Sequence, residues 1–175
     1  MTPRPTPRPL PKVMIFVRHA VAVEASEFAG ADAARPLTKK GVKKAAKVFR
    51  KLLDHYQPTR IVASPYLRAH ETALLLQAAA TAGGATPPIE TCEALTPDAT
   101  WDDWCAYLDS SDRCYSDTDV VCIVGHEPSL GRFFCRHIGF PEAIPFKKAG
   151  IGVIEPETAT RARLIAFAPA KFFNG

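Results

Sequence analysis

Short apolar runs alternate with longer amphipathic stretches along this chain. Val13–Val17 (VMIFV) is wholly apolar, bounded by Pro11 and Arg18, and reads as a buried strand. Thr38 to about His55 reads as a helix, with Val42, Ala46, Phe49 and Leu53 at helical spacing as its predicted inward face. Lys40, Lys44, Lys47 and Lys51 repeat that spacing on the opposite face. Ile61–Ala63 is a second short strand. Ser64-Pro65 behind it predicts an N-cap with proline at the first helical position. Leu67, Glu71, Leu74, Leu75 and Ala78 carry that helix to a stop at Gly83-Gly84. Ile89–Cys92 reads as a third strand, and Trp101, Trp104, Cys105 and Leu108 as one face of a short helix. Asp119–Val124 is the clearest buried strand, followed by a helix over Glu127–Ile138 with Leu130, Phe133, Phe134 and Ile138 inward. Gly150–Glu155 and Arg163–Ala168 read as two closing strands. Strands alternating with helices predict an α/β fold, a three-layer α/β/α sandwich around a mostly parallel sheet with right-handed crossovers.

Length and charge sharpen this picture. The 175 residues fit one domain, over 13–175, preceded by an extended or disordered Pro/Arg-rich arm over 1–12. The net charge is +4, and the arm supplies most of it through Arg4, Arg8 and Lys12. The rest is nearly neutral, which argues against a nucleic-acid-coating protein. It is nonetheless polarised along the sequence. Arg35 to Arg60 holds nine basic residues against Asp54, whereas Glu90 to Asp119 holds nine acidic residues against Arg113. The lysine-rich helix reads as a solvated face that also suits attraction of an acidic partner. The five cysteines, at 92, 105, 114, 122 and 135, show no metal-ligand spacing. Cys122 and Cys135 read as small buried hydrophobes in a reducing, cytoplasmic setting. No apolar run is long enough for a membrane span.

In a parallel sheet, ligands bind beyond the carboxyl ends of the strands. There the first strand ends in Arg18-His19, the second in Ser64-Pro65 with Arg68 one turn on, and the fourth in Gly125-His126. Two arginines and two histidines thus converge on one edge. Guanidinium groups fit tetrahedral oxyanions through paired, charge-assisted hydrogen bonds. A neutral imidazole is a competent nucleophile toward phosphorus near pH 7. No carboxylate or Cys/His cluster accompanies them, so neither a metal nor another cofactor is expected. His55, His70 and His137 read as structural or solvated, Trp101 and Trp104 as core, and Ser64 equally well as helix cap or phosphate contact.

FVRHA, LTKKG, SPYLRAHETA and VGHEPSLG, in this order, resemble the histidine phosphatase superfamily, whose fold is that of the phosphoglycerate mutases. The small size and the RPLTKKG and EALTP segments look most like its SixA-type phosphohistidine phosphatases. The resemblance implies that His19 accepts the phosphoryl group and that Arg18, Arg68 and His126 form the phosphate pocket. It also implies that Arg35 is a basic loop residue near the pocket, and that Glu127 matches the position of an auxiliary acid. Ala20 departs from the glycine common at that place. The implied substrate is a phosphohistidine on a phosphotransfer protein in signal transduction, since a protonated imidazole leaves readily without a strong acid. Two alternatives stay open: a hydrolase of small phosphomonoesters or anhydrides, and a phosphate-binding adaptor without turnover. A monomer or weak dimer is expected, with no nucleic-acid or membrane partner.

Overall fold

The structure is a computed structural model that describes residues 9–84, 86–110 and 115–173. Residues 1–8 of the expected arm and Cys114 lie outside the described residues. The chain runs β1 (Val13–Arg18), α1 (Lys39–Leu53), β2 (Arg60–Ala63), α2 (Leu67–Ala82), β3 (Ile89–Thr91), α3 (Trp101–Asp109), β4 (Val120–Gly125), α4 (Ser129–His137), β5 (Ile151–Thr158) and β6 (Arg161–Ala168). The six strands form one sheet in the order β3-β2-β4-β1-β5-β6. β1, β2, β3 and β4 pair in parallel, while β5 runs antiparallel to both β1 and β6. This is the mostly parallel α/β fold that the strand–helix alternation predicts.

Alternation along the central strands divides the core in two. Val13, Ile15, Val17, Ile61, Cys122 and Val124 face a cluster with Ala45, Val48, Phe49, Leu52, Ala73 and Leu76 of α1 and α2. Met14, Phe16, Val62, Val121 and Ile123 face Trp104, Leu130, Phe133 and Phe134 of α3 and α4. On that second face Phe16 meets Phe134 edge-on at 5.5 Å, and Trp104 stacks on Phe133 at 5.9 Å. Trp104 also donates its indole N–H to His137 Nε2 at 2.9 Å, deep in this core. His137 is therefore structural. No helix of the described residues is long and apolar enough to cross a membrane.

Three local expectations are corrected. The buried face of α1 is Gly41, Ala45, Val48, Phe49 and Leu52, about one residue round from the Val42, Ala46 and Leu53 stripe, and Val42 is exposed. α2 buries Arg68, Ala69, Thr72, Ala73, Leu76 and Ala80, leaving Leu67 and Leu74 exposed. In α2 mostly small residues face inward and Leu67 and Leu74 are left outside, whereas α1 buries Val48, Phe49 and Leu52 beside Gly41 and Ala45. Finally, α2 begins at Leu67 with Tyr66 as its N-cap, two residues later than Ser64-Pro65 suggests, so Ser64 is not the cap.

The first turn of α1 is locked to the loop that leaves β1. Thr38 caps the helix by accepting from the Gly41 N–H at 2.9 Å, and its own N–H donates to the Val21 carbonyl at 2.9 Å. A Cβ on Gly41 would lie far inside van der Waals contact with that same carbonyl oxygen. Alanine has the better helix propensity by about 1 kcal/mol, but a backbone oxygen cannot swing aside. The steric cost, about 1–3 kcal/mol for overpacking, therefore wins. Gly41→Ala is expected to lower stability in denaturant unfolding despite its helix propensity, and an unchanged or raised midpoint would contradict this close approach.

Candidate active site

Strand register assembles the site. Arg18 of β1 lies level with Gly125 of β4, so His19 and His126 leave neighbouring strands at the same height. Ala63 of β2 lies level with Val124, which brings Ser64 beside them, and the Ser64 N–H donates to the Val124 carbonyl at 3.0 Å. The rings of His19 and His126 are 4.9 Å apart, and both side chains are buried. Arg68 reaches the same edge from the first turn of α2 and is only 3% exposed.

His19 is held in one tautomer. Its Nδ1 lies 2.8 Å from the Ala20 carbonyl, which only accepts, so Nδ1 carries the proton and Nε2 keeps its lone pair. The Ala20 N–H in turn donates to Thr72 Oγ1 at 3.0 Å, and that hydroxyl donates to the Arg68 carbonyl at 2.6 Å. Helix α2 and the loop that follows β1 are thus tied together directly behind His19.

The arginines are positioned individually. Arg68 donates through Nη1 to the Asp32 carbonyl at 2.7 Å and through Nη2 to its carboxylate at 2.9 Å, with its guanidinium over the Tyr66 ring. Arg18 donates through Nη1 to the Phe146 carbonyl at 2.6 Å. Arg18 Nε, Arg68 Nε and His126 Nδ1 are buried with no hydrogen-bond partner among the described residues. Unpaired buried groups are costly, and two of these three are N–H donors of guanidinium cations. The arrangement suits a tetrahedral oxyanion.

Two sequence-suggested residues have other engagements. Arg35 clamps Asp32 through Nε at 2.8 Å and donates to the Val23 carbonyl at 2.6 Å. It supports Asp32, which holds Arg68. The half-buried carboxylate of Glu127 accepts from the Phe146 N–H at 3.2 Å and from the Gly131 N–H. A Cβ on Gly131 would lie only 2.9 Å from this carboxylate, so the glycine makes room for it. Burial raises the pKa of Glu127, and its two backbone donors oppose that shift.

Three residues at this edge carry no sequence signal as site residues, or an ambiguous one. Ser64 Oγ bonds His126 Nε2 at 2.9 Å. Asp32 lies one 3-10 turn before Arg35, a spacing that suits an ion pair. Lys148, from the segment before β5, places Nζ 3.3 Å from His19 Nε2. Among the described residues, no group of three or more His, Cys, Asp or Glu side chains is placed to hold a metal ion.

Comparison with known proteins fits this geometry. Residues 14–104 match the family model of the histidine phosphatase superfamily, branch 1. The chain belongs to the histidine phosphatase superfamily. The matched span includes His19, Arg35 and Arg68, while His126, Glu127 and Lys148 lie beyond it. The chain is also 33% identical, over 144 residues, to an uncharacterised protein of Picosynechococcus sp., covering 79% of this chain and 81% of that one. Its fold matches that of the protein histidine phosphatase SixA complexed with tungstate, with a TM-score of 0.78 at 19% identity, over 91% of this chain and 98% of that one. It also matches a mycobacterial glucosyl-3-phosphoglycerate phosphatase, with a TM-score of 0.64 at 15% identity, over 90% and 99% of the two chains.

Burial and nearby positive charge keep both site histidines neutral. Burial, then Lys148, His126 and Arg68, pushes His19 down to about 2, against the opposing Ala20 carbonyl. Burial, then Arg68, Lys148 and Arg18, pushes His126 down to about 3. Burial alone pushes His137 down to about 4. The unfolded chain protonates its histidines below about pH 6.5 while these three resist. Their contribution to stability is therefore complete above pH 6.5 and is lost as the pH falls below it. Each costs up to about 1.4 kcal/mol per pH unit in that window. The thermal midpoint is expected to fall steadily between pH 7 and pH 5, with the His19 and His126 rings still neutral by NMR. A flat midpoint, or ring protonation near pH 6.5, would contradict this.

Proposed function

We propose that this protein is a phosphohistidine phosphatase that works through a covalent phosphohistidine on His19. The observation that carries the reading is the Nδ1–H to Ala20 carbonyl bond, which leaves Nε2 as a neutral lone-pair donor beside cationic side chains. In the first step Nε2 bonds phosphorus as the bond from phosphorus to the leaving group breaks, and the leaving group keeps the electron pair. Arg18 and Arg68 offset the charge of the transferring group, which is the main requirement of phosphoryl transfer, and the neutral His126 serves beside them as a hydrogen-bonding group. In the second step water attacks phosphorus, the N–P bond breaks, and its electron pair returns to Nε2. Both water protons leave on orthophosphate, so His19 regains its starting tautomer.

The leaving group favours a P–N substrate. A phosphohistidine protonated on its free ring nitrogen departs as neutral imidazole and needs no proton from the protein. The carboxylates near the site are engaged elsewhere: Asp32 with two arginines, and Glu127 with two backbone N–H groups. This supports a phosphohistidine-bearing phosphotransfer protein as substrate, in keeping with the SixA likeness. A second reading, a small phosphomonoester, is favoured by one observation: the same fold serves a glucosyl-3-phosphoglycerate phosphatase.

Turnover of a phosphohistidine peptide beside sugar and nucleotide phosphates separates the readings. The account expects kcat/KM at least ~100-fold higher on the peptide, and a loss of at least ~10³-fold in His19→Ala. Equal or better turnover of a small ester supports the second reading. Phosphate binding without hydrolysis of any compound would return the protein to the adaptor class.

A further inference from the structure

Lys148 belongs to no motif, yet its ammonium lies within hydrogen-bonding distance of the reactive atom. Its position is built rather than incidental. The Gly150 N–H donates to the Lys147 carbonyl at 2.7 Å, closing a tight turn around Lys148 and Ala149. Ala149 is buried and takes a left-handed conformation at φ 55°, which is unfavourable for a residue with a Cβ. Its N–H is shared between the carbonyls of Arg18 at 3.1 Å and His19 at 3.3 Å. The turn is therefore stapled to the backbone of the reactive histidine itself, and this places Lys148 Nζ 3.3 Å from His19 Nε2.

Resting on the reading of His19 as nucleophile, we propose that Lys148 is a further catalytic residue, whose ammonium binds the oxygens of the phosphoryl group as it moves onto and off Nε2. A phosphorus bonded to Nε2 carries three oxygens around that nitrogen, and an ammonium so near the nitrogen meets them. Its place beside the nucleophile suits the oxygens shared by every substrate better than the leaving atom on the far side of phosphorus. Lysine binds phosphate as a point charge with rotatable donors, complementing the fixed forks of Arg18 and Arg68.

Lysine also differs from arginine in losing its proton within an accessible pH range. The groups acting on Lys148 are Arg18 and His19 from β1 and its end, Glu24 and Arg35 from the following loop, Arg68 from α2, and His126 after β4. Burial first, then Arg18, Arg68 and Arg35, brings its pKa down to about 8, and Glu24 opposes them. Phosphoryl binding should therefore weaken on the alkaline side as the ammonium is lost.

Two arms test this. In the first, tungstate binding is followed by calorimetry at about pH 7 and about pH 9.5, a range over which tungstate stays a dianion. Wild type is expected to bind at least ~10-fold more weakly at the higher pH. Lys148→Arg should hold its affinity across the range, and Lys148→Ala should be weak at both. In the second, Lys148→Ala is expected to lower kcat/KM about 100-fold, by the same factor for 2,4-dinitrophenyl, p-nitrophenyl and phenyl phosphate. A loss that grows as the leaving group becomes more basic overturns the proposal, because the ammonium would then serve the departing atom. So does an alkaline fall that persists in Lys148→Arg, or affinity and activity within threefold of wild type in Lys148→Ala. The binding arm needs no turnover. If wild type hydrolyses none of the esters and no phosphohistidine, the reading of His19 fails, while the tungstate titration still decides whether Lys148 is an oxyanion ligand.

Discussion

Because β1 and β4 run parallel with Arg18 level with Gly125, the chain leaves both strands at one height, and two imidazoles emerge side by side. Everything else at the site is arranged around that register. β2 follows β4 in the same sense, so Ser64 arrives next to His126. β5 runs back along the other side of β1, so the turn preceding it abuts Arg18 and His19 and delivers Lys148. A slip of one residue between β1 and β4 would send Arg18 and His19 to opposite faces relative to their partners. The dense apolar packing of Phe16 and Ile15, one on each face of the sheet, opposes such a slip.

The register also gathers positive charge. Arg18, Arg68 and Lys148 converge on two histidines, with Arg35 behind them. Only some of that charge is answered within the protein. Asp32 is shared between Arg35 and Arg68, and Glu127 acts on Arg18 at longer range. The remaining imbalance has two consequences. It adds to burial, the larger cause, in keeping His19 and His126 neutral, so that Nε2 of His19 keeps its lone pair. It also leaves guanidinium N–H groups with hydrogen-bonding capacity for an oxyanion.

Much of this was legible in the sequence where a residue's place follows from its own strand. The apolar runs fixed the strands, and Arg18, His19, Arg68 and His126 came from strand ends and the first turn of a helix. What was not legible depended on contacts made across the fold. The inward face of α2 is mostly small, so Leu67 and Leu74 gave the wrong stripe. Ser64-Pro65 carries a strong capping signature, but helix α2 starts at Leu67 and the serine hydroxyl turns to His126. Glu127 sits next to a site histidine in sequence, yet its carboxylate is held by the backbone of Phe146 and Gly131. Lys148 is more than a hundred residues from His19 and reaches it only through the pairing of β5 with β1 and the left-handed turn at Ala149.

The central claim is that the phosphoryl group resides on Nε2 of His19, because Nδ1 is occupied by its hydrogen bond to the Ala20 carbonyl. The most direct measurement is to react the protein with labelled phosphoramidate, quench in alkali, and identify the phosphorylated atom by mass spectrometry and ³¹P–¹⁵N NMR. The account predicts one acid-labile, alkali-stable label on His19, bonded through Nε2 and absent from His19→Ala. Label on Nδ1, label on another residue, or equal labelling of His19→Ala would contradict it.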